Sequence, residues 1–325
     1  MTTQPRLAVL GSLNMDISVP VGRLPGPGET ILGGQAVIAP GGKGANQAVA
    51  AARLGADTAM AGCVGEDEFG GPILLALAAE GIATGAVRRV PGVATGLALI
   101  TVDAAGENMI TVAPGANGEC GPADADAALA GPPALLVISA EIPPAAIAAA
   151  LAGAARMGVP TLLNLAPVPA DADPAALLAG VSWLVVNESE AAALLGEPVA
   201  GLDAAARAAA ALQRRLAAAA GPGTPSGRYA VVTAGSHGAA LTGPDGTDQV
   251  GGFAVASVDA VGAGDAFVAA LAVGLASGAA PAGALRAACA AGATATTRRG
   301  TQTALPRPAD IQAATGVAGP WPAGD

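Results

Sequence analysis

Short apolar runs recur along this chain, and most of them stop at a small or polar residue. Leu7–Leu10 stops at Gly11-Ser-Leu-Asn-Met-Asp16. Thr58–Val64, Leu135–Ser139, Thr161–Leu165, Ser182–Val186 and Ala230–Thr233 repeat the theme. Runs of this length and composition read as buried strands, whereas Gly71–Glu80 and Pro144–Met157 between them have the length and Ala/Leu content of helices. Strands alternating with helices specify a mostly parallel sheet covered on both faces. In such a sheet, polar residues at the C-terminal strand ends line one crevice, and ligands bind there.

Two β-rich excursions break the rhythm. Asp16–Val21 and Thr30–Ala39 flank Pro25-Gly-Pro-Gly28, and Gly96–Val102 and Asn108–Val112 flank the turn Asp103-Ala-Ala-Gly106. Both read as antiparallel strands. The expected organisation is an α/β core of residues 1–13, 40–95 and 113–310, with a small β lid of residues 14–39 and 96–112. Residues 311–325 are expected to be a loose tail. Gly221–Arg228 reads as a surface insertion, because Gly, Pro and Ser crowd it.

The balance of charges limits what such a crevice can bind. The formal net charge is −10, which argues against nucleic acid and anionic membranes as partners, since both require basic surface. An anionic ligand would have to be held locally, by backbone donors, a few basic side chains and metal ions. Cys63, Cys120 and Cys289 are scattered without a C-x-x-C pair, and His237 is the sole histidine. This argues against a disulfide framework and a thiolate zinc site and excludes a His-rich metal site, and a reducing cytoplasm is expected. Arginines interrupt the alanine-rich runs, so no membrane span is expected.

The stretch Asp259-Ala-Val-Gly-Ala-Gly-Asp265 stands before an apolar helix running to Leu275. Its small residues leave the first-turn amides of that helix uncrowded, and a helix N-terminus with free N–H groups attracts anions. Asp265 can serve there as a cap or as a chemical group. Gly41-Gly-Lys-Gly-Ala-Asn46 opens another helix and is not a P-loop, because Gly rather than Ser or Thr follows Lys43. Asn14, Asp16, Lys43 and Asn46 bring amide and charged groups suited to sugar hydroxyls. Glu141 and Asn164 follow or end strands, as do Asn187-Glu-Ser-Glu190 and Thr233-Ala-Gly235. The Asn187–Glu190 segment also reads as an ordinary capped helix start.

Taken in order, Gly11–Asp16, Pro27-Gly-Glu-Thr30, Gly41–Ala48, Pro114-Gly-Ala-Asn117, Asn187–Glu190 and Asp259–Asp265 resemble the signatures of the ribokinase-like carbohydrate kinases. The resemblance runs from about residue 6 to residue 308. It implies a three-layer α/β/α fold with a mostly parallel central sheet and a small antiparallel β lid. It also implies ATP-dependent phosphorylation of a sugar, with D-ribose and its 5-hydroxyl the expected acceptor. By resemblance, Asp265 would be the general base, and the amides of Gly262, Ala263 and Gly264 the anion hole. Asn14, Asp16, Gly42, Lys43, Asn46, Glu141 and Asp265 would hold the sugar. Asn187, Glu190, Thr233, Gly235, Gly264 and Cys289 would serve the nucleotide, with Mg²⁺ accompanying ATP. A monovalent cation, K⁺ in most of the family, would sit at Asp259 and at the carbonyls of Val261, Ala295, Arg298 and Gly300. Family members pair as homodimers through their lids, and the same is expected here. Two positions depart from the pattern: Ala304 replaces a serine near the cation, and Cys289 replaces His or Asn at the adenine pocket. Three rivals follow. One is a kinase for deoxyribose or another pentose, and one is a nucleoside kinase, which with so few aromatic residues would need an aliphatic wall for the base. The third is a non-catalytic sugar sensor, which has no need of a base beside an anion hole.

Overall fold

The computed structural model describes residues 4–104, 107–169, 177–219 and 227–322. The hairpin turn expected at Asp103–Gly106 and the insertion expected at Gly221–Arg228 therefore lie in part outside the described residues. A nine-stranded sheet forms the centre, in the order β13-β12-β11-β10-β9-β8-β1-β4-β5. Its middle strands are β1 (Arg6–Leu10), β4 (Asp57–Gly65), β8 (Leu135–Ser139), β9 (Thr161–Asn164), β10 (Trp183–Asn187) and β11 (Tyr229–Thr233). All of these pair in parallel. Leu7, Val9, Leu10, Leu136 and Ile138 have no exposed surface, as strands buried on both faces require.

Helices cover both faces. They are α1 (Lys43–Arg53), α2 (Gly70–Ala79), α3 (Pro122–Leu129), α4 (Pro144–Met157), α5 (Glu188–Leu195) and α6 (Leu202–Ala218). Next come α7 (Ala263–Ala276), α8 (Pro281–Ala295) and α9 (Pro308–Thr315). One core, on the α1, α7 and α8 side, is built largely from alanine with Leu, Val and Ile, with Trp183 and Phe267 as its buried rings, and its small side chains let the helices pack closely. The other lies under α3, α4, α5 and α6. No helix among the described residues is long and apolar enough to cross a membrane.

The second sheet has four strands, β3 (Val37–Gly41), β2 (Asn14–Pro20), β6 (Gly96–Val102) and β7 (Asn108–Ala113), in that spatial order. Its outer pairs are antiparallel, and its central pair, β2 with β6, runs parallel.

Several elements differ from the sequence expectation. The strand expected over Thr30–Ala39 is confined to Val37–Gly41. Gly33 and Gly34 instead fold against β2, so closely that a Cβ on Gly33 would stand 2.5 Å from Val19. Strands β5 (Ala83–Val90), β12 (Gly238–Gly243) and β13 (Gly246–Gly251) extend the sheet, and β12 and β13 run antiparallel to their neighbours. The tail is not loose over its described part. Ile311 and Val317 enter the core, Trp321 packs against it, and Asp310 accepts the Arg307 amide at 2.9 Å to cap α9. Two apolar anchors and a capped helix supply contacts that a bare Gly/Pro/Ala count does not register.

Candidate active site

Glycine shapes the entrance to α1. Gly42 has φ +89° at the N-cap, and a Cβ there would lie 2.7 Å from the Asn14 amide nitrogen. Only glycine adopts this conformation cheaply, and only glycine lets β2 approach. Gly41 packs on Asp16 so tightly that a Cβ would meet the carboxylate at 2.1 Å. Lys43, Asn46 and Gln47 then fall on the first turns of α1.

The entrance to α7 is built by the same means. Gly262 has φ +79° and forms the N-cap, and Asp265 lies in the first turn, 8% exposed. The Asn46 side-chain amide donates to Asp265 Oδ2 at 2.9 Å, and Gln47 Nε2 donates to Oδ1 at 3.1 Å. Burial pushes the Asp265 carboxyl upward, while Lys43, Asn46 and Gln47 pull it back. The Ala263 amide donates to the Ala260 carbonyl at 3.2 Å. Of the three amides expected to form the anion hole, that one is already engaged.

Lys43 also faces Glu141, at 3.8 Å from Nζ to Oε1, and the Lys43 amide reaches Glu141 Oε2 at 3.4 Å. The Ser12 hydroxyl donates to the same oxygen at 2.6 Å. Burial alone would lower the Lys43 pKa, but attraction from Asp265, Glu141 and Glu190 outweighs it. Asp16 is pushed up to about 7, first by burial and then by repulsion from Glu141 and Asp265. Asp16, Lys43, Asn46, Glu141 and Asp265 thus share one electrostatic neighbourhood. Asn14 joins through the backbone approach to Gly42 and is held by Asn117, whose Nδ2 donates to Asn14 Oδ1 at 2.7 Å.

The strand ends place the remaining groups in line. Ser139 pairs in register with Asn164, Val185 with Asn164, and Asn187 with Thr233. Asn187 and Glu190 form a capping box: Asn187 Oδ1 accepts from the Glu190 amide at 2.9 Å, and Glu190 Oε2 accepts from the Asn187 amide at 2.8 Å. Glu190 is pushed upward by burial. Gly235 is exposed in the turn after β11.

Asp259 ties two segments together, accepting from Val261 N and Gly300 N, both at 3.0 Å. The Thr296 carbonyl, just beyond Ala295 and the end of α8, accepts from the amides of Val258 and Asp259. The Arg298 side chain turns to Asp310 at 2.6 Å, and Ala304 is buried. Cys289 is 8% exposed within the α7/α8 core, and burial pushes its thiol up to about 12. It is a free thiol.

Four side chains at this site were not singled out from the sequence as candidates: Gln47, Ser12, Asn117 and Gln302, the last donating to Asn46 Oδ1 at 3.3 Å. Ser12, Gln47 and Asn117 lie within the signature stretches, so the signal was present there. Gln302 lies outside them.

A model of the pfkB family carbohydrate kinases matches residues 4–308. The chain is 35% identical over 303 residues to the ribokinase of Haemophilus influenzae, covering 92% of this chain and 95% of that one. It is 32% identical over 302 residues to the deoxyribokinase of Salmonella typhi, with the same coverage. The structure of Arabidopsis thaliana ribokinase complexed with ribose and ATP matches with a TM-score of 0.82 at 29% identity, covering 96% of this chain and 98% of that one.

Proposed function

The chain belongs to the pfkB family of carbohydrate kinases, and on that premise we propose that it transfers the γ-phosphoryl group of ATP to the 5-hydroxyl of D-ribose. The observation that carries the reading is the buried Asp265 carboxylate at the start of α7, held at both oxygens by side-chain amides and facing Lys43. A carboxylate whose pKa is raised by burial takes a proton more readily than an exposed one. Asp265 removes the proton of the 5-hydroxyl as its oxygen bonds to the γ-phosphorus and the bond to the β-phosphate oxygen breaks. Phosphoryl transfer of this kind depends on positioning and charge stabilisation.

Asn14, Asp16, Gly42, Lys43, Asn46 and Glu141 hold the sugar. The amides of Gly262, Ala263 and Gly264 receive the transferring group, and because Ala263 already bonds Ala260, Gly262 and Gly264 bear most of that role. Asn187, Glu190, Thr233, Gly235 and Cys289 border the nucleotide. Mg²⁺ bound with ATP supplies neutralising charge at the phosphates, which lets a chain of net charge −10 bind a polyanion. Asp259 and the carbonyls of Val261, Ala295, Arg298 and Gly300 would hold K⁺. Support for this reading comes from Asp259, which accepts from the amides of Val261 and Gly300 and so holds those two segments beside one carboxylate. The small sheet acts as a lid that excludes water during transfer. We place the enzyme in the cytoplasm as a homodimer paired through these lids. Ribose is chosen as acceptor because the ribokinase relative exceeds the deoxyribokinase in identity, 35% against 32%.

Asp265→Asn tests the reading. Turnover should fall by about 10²–10⁴-fold, the usual worth of a general base, while calorimetry still detects ribose binding. Near-normal turnover would remove Asp265 from the role.

A further inference from the structure

The orientation of the Gln47 amide is fixed from both ends. Asn164 Nδ2 donates to the Val185 carbonyl at 3.3 Å, so its Oδ1 is the atom that faces Gln47. Gln47 Nε2 lies 3.0 Å from that oxygen and 3.1 Å from Asp265 Oδ1. Both neighbours are acceptors, so the nitrogen must occupy this place and spend both of its protons there. The consequence falls on Gln47 Oε1, which is buried and has no hydrogen-bond partner. A buried, unpaired carbonyl destabilises a fold. An apolar side chain of the same length would avoid that cost, but it would leave Asp265 Oδ1 without a donor.

We infer that Gln47 is a positioning residue for the transfer reaction, aiming Asp265 and keeping it ionised in its buried position. The inference rests on Asp265 being the base. Through Gln47, the base is braced by β9 and β10 of the central sheet, by way of Asn164 and the Val185 carbonyl. Asn46 braces the other oxygen and is itself held by Gln302. The charged groups around Asp265 are Lys43 on α1, Glu141 after β8 and Asp16 on β2. All three remain when Gln47 is replaced, so a change in the ionisation of Asp265 isolates the Gln47 contribution.

The test is the pH dependence of kcat, measured at saturating ribose and MgATP, for wild type, Gln47→Met and Gln47→Glu, with Asp265→Asn alongside. Gln47→Met keeps the length and removes the donor. Its acid limb should move upward by about one pH unit, with kcat on that limb falling about tenfold at a given pH and recovering in alkali. Gln47→Glu keeps the shape and adds a second carboxyl beside Asp265, so its limb should move further still. Packing alone predicts the opposite order, with the near-isosteric Glu the milder change. Acid limbs coincident with wild type in both variants would overturn the inference, as would a wild-type profile restored by Glu. Ribose binding by calorimetry confirms that each variant is folded, and if Met fails to fold, Glu alone decides. Full turnover by Asp265→Asn would instead defeat the underlying assignment of the base, a result separable from either outcome at Gln47.

Discussion

At Asp16 a sugar-binding role and a stability penalty meet in one carboxyl. Its folded pKa lies near 7 against an ordinary value of 3.8, so the folded protein favours the protonated form. The stabilisation from this group is complete below its unfolded value and is lost as the pH rises through about 7. Asp16→Asn should therefore raise the melting temperature of the ligand-free enzyme at pH 8 and change it little at pH 4. Equal shifts at both pH values would contradict the assignment. Sugar hydroxyls donate to the ionised form, so ribose affinity in the wild type should weaken as the pH falls below about 7, which calorimetry across pH would register. The carboxylates and Lys43 were legible in the sequence because they stand in distinctive Gly-rich or strand-end settings. The roles of Gln47, Ser12 and Gln302 were not, because they arise from contacts between segments 129 to 256 residues apart.

The elements show the same division. Parallel strands buried on both faces announce themselves as continuous apolar runs, and their alternation with helices specified the layered architecture. Strand β5 carries Arg88 and Arg89, and β13 reads Gly-Thr-Asp-Gln-Val-Gly, so sheet-edge strands with exposed faces lacked that signal. The parallel pairing of β2 with β6 is a matter of tertiary placement, and local pattern does not encode it. Two predictions belong to this scale. A methyl group at position 41 would occupy space 2.1 Å from Asp16 Oδ2. Gly41→Ala should thus raise the ribose KM far more than it lowers kcat, and steady-state kinetics will reveal whether it does. Asp259→Ala removes the acceptor that joins residues 261 and 300. It should abolish stimulation by K⁺ and lower kcat by about tenfold or more, in the range expected when one preorganised charge is lost near an anion hole. Undiminished K⁺ stimulation in that variant would move the cation elsewhere.

Across the whole molecule, the small sheet leaves Val37, Ile38, Leu99, Met109, Ile110 and Val112 exposed, and Leu32 is 96% exposed beside it. By the strand registers Val37, Ile110 and Val112 lie on one face of that sheet and Ile38, Leu99 and Met109 on the other, and exposed apolar surface of this kind on a protein of net charge −10 calls for a cover. The proposed homodimer supplies one, and Ile110→Asp should convert the sedimenting species from dimer to monomer. A single monomeric species in the wild type would refute that arrangement. The central claim is the reaction itself, and the most direct measurement is ADP release from MgATP with D-ribose, 2-deoxyribose, other pentoses and nucleosides as acceptors, with ³¹P NMR of each product. The account predicts that D-ribose is strongly preferred and that phosphate appears on its 5-oxygen. Ribose binding without ADP release, or a strong preference for another acceptor, would contradict it.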